Sequence, residues 1–255
     1  MCGTCGCADT SRIVELEHDI LHDNDVRAEA NRLAFAGHGL LVLNVLSSPG
    51  SGKTSLLVRT IEELKDELDF AVIEGDQQTQ RDAERIRATG APATQINTGK
   101  GCHLDAHLVA HGVEHLEADG AWRDDAGTRG GVLFIENVGN LVCPAAFDLG
   151  ESARVVVLSV TEGEDKPLKY PDMFRTADLV ILAKSDLLPY LDFDVEACID
   201  HLRRINPTAD VVTLSAVGGE GLADWYSWLR AAQERPAIAA AEPVRADISA
   251  EAAAG

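Results

Sequence analysis

At 255 residues the chain suits one large domain or two small ones, and 45% hydrophobic with 25% charged residues is the balance of a folded globular protein, not of a disordered one. Lys and Arg number 22 against 42 Asp and Glu, and the resulting net charge of −20 repels phosphate backbones and anionic lipid, so neither nucleic acid nor membrane is an expected partner. No apolar run approaches the ~18 residues that span a bilayer. The start lacks a basic, apolar leader, so a cytoplasmic location is expected, where six cysteines favour metal or catalytic use over disulfides. Residues 1–23 read as a Cys-bearing tip and a polar lead-in. A helix is expected from about Asp25 to Phe35, capped by Asn24 or Asp25 and ended by Gly37, with Val26, Ala30, Leu33 and Ala34 at near-helical spacing. Leu40–Leu46 then reads as a strand buried on both faces. Similar short runs follow at Phe70–Ile73, Gly131–Ile135, Val155–Val160, Leu179–Leu182 and Val211–Leu214. Helical stretches fall between them at Thr54–Leu68, Gln78–Ala88, Leu104–Leu116, Val195–Ile205 and Leu222–Ala232. This alternation predicts an α/β fold, a mostly parallel sheet with helices on both faces, over residues 24–235. Residues 117–130 read as an exposed loop and the alanine-rich 236–255 as a mobile tail.

The first strand runs into Ser47-Ser48-Pro49-Gly50-Ser51-Gly52-Lys53-Thr54-Ser55, and a helix follows. A strand, a Gly-rich turn, Gly-Lys-Thr and a helix form the P-loop context, although Ser47 stands where the pattern usually begins with Gly. Backbone N–H groups around Gly50, Ser51 and Gly52 cradle phosphates, Lys53 spans the terminal ones, and the Thr54 hydroxyl ligates Mg²⁺. Lys184-Ser185-Asp186 resembles the Asn-Lys-x-Asp motif, with Ala183 in place of Asn. The Asp186 carboxylate would accept from guanine and the Lys184 stem cover its ring, with Ser215-Ala216 as a supporting loop. Asp76 and Glu136 end strands where a carboxylate can face Mg²⁺ or the attacking water, and Gly139 has the spacing of a γ-phosphate sensor. GTP and Mg²⁺ are therefore the expected ligands.

Metal ligands are legible in two places. Cys2, Cys5 and Cys7 place three thiols near the N-terminus, and with one nitrogen they complete a four-coordinate site. A square-planar version suits Ni²⁺ and a tetrahedral one Zn²⁺. Cys102 and His103 are adjacent, and Cys143 can join them after folding. Each of these three is individually a weak signal, and Cys198 reads as a small core residue. His103, His107, His111 and His115 recur at four-residue spacing, which on one helix would form an imidazole stripe. For the last three a solvated polar face is the simpler expectation, with auxiliary metal capture as the sharper one.

Together, Cys-Gly-Thr-Cys-Gly-Cys, Ser-Ser-Pro-Gly-Ser-Gly-Lys-Thr, Gly-Lys-Gly-Cys-His-Leu-Asp-Ala and Phe-Ile-Glu-Asn-Val-Gly-Asn-Leu-Val-Cys-Pro resemble the HypB family of nickel-incorporating GTPases. Thr-Glu-Gly-Glu-Asp-Lys-Pro-Leu-Lys-Tyr-Pro and the Lys-Ser-Asp-Leu-Leu-Pro-Tyr segment extend the resemblance to about Leu229. It implies a P-loop NTPase with a SIMIBI-like G domain that hydrolyses GTP, with Lys53, Asp76 and Glu136 at the chemistry. It implies nickel at Cys2, Cys5 and Cys7, and nickel or zinc at Cys102, His103 and Cys143 of both subunits of a nucleotide-dependent homodimer. The implied partners are a HypA-type metallochaperone and the [NiFe]-hydrogenase large-subunit precursor. Two rival readings stand beside it, a nickel-buffering protein with residual nucleotide binding and a related G protein serving another metalloenzyme such as urease.

Overall fold

The structure, a computed structural model, describes residues 7–76, 81–99, 101–122 and 131–234, with side chains from residue 18 onward. Cys2, Cys5, the Cys7 side chain, part of the loop at 117–130 and the tail at 236–255 lie outside the described residues. A 7-stranded sheet is parallel throughout, in the order β3-β2-β4-β1-β5-β6-β7. Its strands are β1 (Leu41–Ser47), β2 (Phe70–Asp76), β3 (Ala93–Asn97), β4 (Val132–Glu136), β5 (Ala153–Ser159), β6 (Leu179–Ala183) and β7 (Asp210–Leu214). The helices are α1 (Cys7–Gly37), α2 (Lys53–Leu64), α3 (Arg81–Arg87), α4 (Ala106–Ala118), α5 (Lys166–Lys169), α6 (Pro171–Arg175), α7 (Val195–Ile205) and α8 (Leu222–Glu234). None of the described helices is long and apolar enough to cross a membrane.

Period-two alternation sends the strand residues to opposite faces. Leu41, Leu43 and Val45 of β1 join a core with Leu57 of α2, Ile86 of α3 and Trp225 of α8. Val42 packs on the other face with Phe35 of α1 and Val109 of α4, and Leu46 with Phe174 of α6 and Leu202 of α7. Cys198 of α7 belongs to that last cluster, and burial pushes its thiol up to about 12.

Five local expectations are revised. The first helix begins at Cys7, not near Asp25, because residues 8–36 contain neither Gly nor Pro. Asn24 is therefore no cap: its amide donates to Asp148 O at 2.8 Å and its oxygen accepts from Ala106 N at 2.9 Å. The expected apolar face also points outward, with Val26 and Leu33 each 61% exposed, while Asn24, Ala28, Asn31 and Phe35 are buried. Strand β3 is missing from the sequence reading because an edge strand with one large apolar residue, Ile96, carries little apolar signal. Finally α4 starts at Ala106, capped by Asp105, so His103 lies before the helix and not on its stripe.

The buried Asn31 amide donates to Ala106 O at 2.8 Å and Leu149 O at 3.1 Å, fastening α1 to the chain just after His103 and to the chain after Cys143. Replacing Asn31 by Ala removes both of these hydrogen bonds from a buried site. Urea unfolding should show a loss of about 1–3 kcal/mol, and an unchanged midpoint would show that this fastening carries no stability.

Candidate nucleotide and metal sites

Strand β1 is flanked by β4 and β5, so its connection to β2 must cross β4, and a crevice opens at its carboxyl end. The turn between Ser47 and Lys53 occupies that crevice. Lys53 Nζ donates to Ser47 Oγ at 2.8 Å, which gives Ser47 a definite task at the position where Gly is usual. Thr54 Oγ1 donates to Glu136 Oε1 at 2.7 Å, tying the start of α2 to the end of β4. Gly139 lies directly on the turn, since a Cβ there would stand 2.8 Å from Pro49 Cα. Together these segments line a cavity of about 560 Å³, within the range of small-molecule sites.

Glu74, Asp76, Asp82 and Glu136 face this cavity together with Lys53, Arg85 and Lys184. Burial lowers the Lys53 ammonium, opposed chiefly by Glu136, and burial likewise raises the Glu136 carboxyl against Lys53 and the Thr54 hydroxyl. Glu74 is pushed up to about 8, first by burial and then by Glu136 and Asp76. It is the neighbour of Glu136 in register, and each of the two carries a buried Oε2 without a hydrogen-bond partner among the described residues. An all-oxygen set of the Thr54 hydroxyl and these carboxylates fits Mg²⁺, and a cation among them would favour their ionised forms. Arg85 bridges Ser55 Oγ at 3.1 Å and Asp82 Oδ1 at 3.2 Å. Glu74, Asp82 and Arg85 escaped the sequence reading. Glu74 was legible only as one of two acids at a strand end, and nothing in the sequence told which faces inward.

The base-reading candidates also converge. Lys184, in a left-handed conformation, donates from Nζ to Gly50 O at 2.7 Å. Ser215 Oγ donates to Asp186 Oδ1 at 2.6 Å and accepts from Gly218 N at 2.8 Å. The loop containing Ser215 and Ala216 therefore orients the carboxylate expected to face a purine.

Cys102, His103 and Cys143 come together, their ligand atoms all within 4.8 Å of one another, although Cys143 is remote in sequence. Cys102 Sγ lies 3.6 Å from His103 Nδ1. The hydrogen bond with Cys143 raises the Cys102 thiol, burial adds to it, and burial lowers His103, opposed by Asp105. All three are half-buried. Two thiols and an imidazole at this spacing suit Ni²⁺ or Zn²⁺, either of which would displace the thiol protons. His103 also lies against Phe147, with ring centroids 3.9 Å apart. His107, His111 and His115 form a solvated face of α4: His111 Nδ1 is 3.1 Å from Glu114 Oε2, and His107 Nδ1 is 3.3 Å from Arg27 Nη1.

Residues 41–213 match the family model described as CobW/HypB/UreG, nucleotide-binding domain. The hydrogenase maturation factor HypB of Azotobacter vinelandii is 63% identical over 219 residues, covering 86% of this chain and 69% of that protein. The hydrogenase/urease maturation factor HypB of Helicobacter pylori is 41% identical over 216 residues, covering 85% and 86%. A crystal structure of HypB from Helicobacter pylori in complex with nickel superposes with a TM-score of 0.77 at 40% identity, covering 83% of this chain and 95% of that one. The chain belongs to the HypB family of hydrogenase maturation factors, and its core is a nucleotide-binding domain of the CobW/HypB/UreG kind.

Proposed function

We propose that this chain is a GTP-hydrolysing nickel chaperone that delivers nickel during [NiFe]-hydrogenase maturation. One observation carries the proposal: the segment from Glu136 to Cys143 begins in the nucleotide cavity and ends in the metal triad. Lys53 leaves Ser47 for the terminal phosphates of GTP, and Gly139 N–H donates to the γ-phosphate. Thr54, Asp76 and Glu136 hold Mg²⁺, which neutralises charge on the phosphates. Asp186 accepts from the guanine N–H groups while Lys184 covers the ring. Cys102, His103 and Cys143 bind nickel, with zinc as a competitor for the same donors, and Cys2, Cys5 and Cys7 bind nickel separately. Two GTP-bound copies pair so that both triads face one another, a HypA-type metallochaperone cooperates, and the hydrogenase large-subunit precursor receives the metal. The naming of the Helicobacter pylori relative for both hydrogenase and urease favours a second client class.

The guanine assignment is tested by Asp186→Asn. The variant should weaken GTP by about 10- to 100-fold, the scale of a hydrogen bond to a charged group, and gain affinity for xanthosine triphosphate. Equal affinity of the native protein for ATP and GTP contradicts the assignment.

Delivery itself is tested by Lys53→Ala. Without nucleotide, nickel titration of this variant should match the native protein, while GTP turnover and hydrogenase maturation in cells are lost. Undiminished maturation would leave a nickel-buffering protein in which nucleotide is incidental.

A further inference from the structure

The tripeptide Cys102-His103-Leu104 is gripped from both sides of the nucleotide cavity. On the β2 side, Thr98 N donates to Asp76 O at 3.1 Å, and the fully buried Leu104 side chain rests on Gly75. The fit is close, because a Cβ at Gly75 would stand 2.7 Å from Leu104 Cγ. On the β4 side, the buried Asn137 oxygen accepts from Leu104 N at 3.1 Å and from Val138 N at 3.0 Å. Its amide donates to Asn44 Oδ1 of β1 at 3.3 Å. Asn140 Nδ2 donates to Cys102 O at 3.2 Å, while its oxygen accepts from Val142 N at 2.8 Å, next to Cys143.

We propose that Leu104 is a positioning residue, the joint through which the segment around Gly139 sets the placement of Cys102 and His103. This rests on the proposed nucleotide–metal reading and gives it a mechanical path. Asn137 is next to Glu136 and two residues from Gly139, so a shift of that segment toward a γ-phosphate carries the acceptor of Leu104 N with it. Leu104 cannot follow freely, since its side chain is wedged on Gly75, between Glu74 and Asp76. A close-packed joint of this kind moves between discrete arrangements, not by gradual deformation. Cys143 hangs from the same segment, and the Asn140 tie to Cys102 keeps the two halves of the triad in step. The hydrogen bonds among Leu104, Asn137 and Asn44 are shielded from water, so water is poorly placed to replace a broken member.

The test uses the full chain with Cys2, Cys5 and Cys7 changed to Ser, and compares its nickel affinity in GDP and in a non-hydrolysable GTP analogue. The parent should show a ratio of at least about fivefold between the two states, the lower end of ordinary coupling. Leu104→Ala should bring that ratio to within about twofold of unity while still binding the analogue and, with GDP, nickel. Leu104→Met, which refills the seat on Gly75, should restore it. Should Leu104→Ala fail to fold, Asn140→Ala decides, because it removes the half-buried tie to Cys102 together with the acceptor of Val142 N, leaves the wedge on Gly75 in place, and should also flatten the ratio. A parent ratio of one overturns the underlying reading and the joint with it. A parent ratio above fivefold that survives in the folded variant overturns the joint alone.

Discussion

The hydrogen bond from Thr54 to Glu136 joins the two segments on which the rest of the site depends. It fixes the N-terminus of α2 against the carboxyl end of β4, and so sets the cavity's width. Burial raises the Glu136 carboxyl there, and Lys53 from one side and the Thr54 hydroxyl from another offset part of that cost. Gly139 follows from the same constraint. The chain leaving Glu136 must pass over Pro49 with no room for a side chain, and this brings residues 140–143 out beside Cys102.

Charge explains how a protein of net charge −20 can be built to hold a phosphate. The overall field opposes an anion, so attraction must be local and must come from Lys53, Lys184, Arg85 and the backbone at the start of α2. In the proposed reading the facing carboxylates beside them are partners of a cation. Glu74, held at about 8, and Glu136, also raised, would each gain by a divalent ion arriving with the nucleotide. Nucleotide and Mg²⁺ thus complete each other's binding in the proposed reading.

Much of this architecture is readable without coordinates, and the parts that are not share a physical reason. Strands buried on both faces announce themselves as apolar runs, so six of the seven were located and the P-loop fell at the end of the first. The phosphate, base and triad candidates that lie within the described residues do converge in space. Local pattern fails where a tertiary contact overrides it. Asn24 and Asn31 resemble polar surface residues or caps, yet both are buried because backbone groups near Ala106 and Leu149 need partners. Val26 and Leu33 resemble a core face and point outward for the same reason. Leu104 looks like an ordinary apolar residue at a helix start. Its wedge on Gly75 and its bond to Asn137 involve residues about thirty positions away on either side, and no local periodicity encodes that.

Hydrolysis and metal release are linked in this account by a single strand-end segment, so their kinetics must be linked as well. Protein loaded with nickel at Cys102, His103 and Cys143, with the tip cysteines replaced, can be given GTP while phosphate release and nickel capture by a chelator are followed together. The account predicts that nickel leaves at the rate of phosphate release and stays bound with a non-hydrolysable analogue. Nickel leaving at one rate with GTP, with the analogue and with no nucleotide would contradict it.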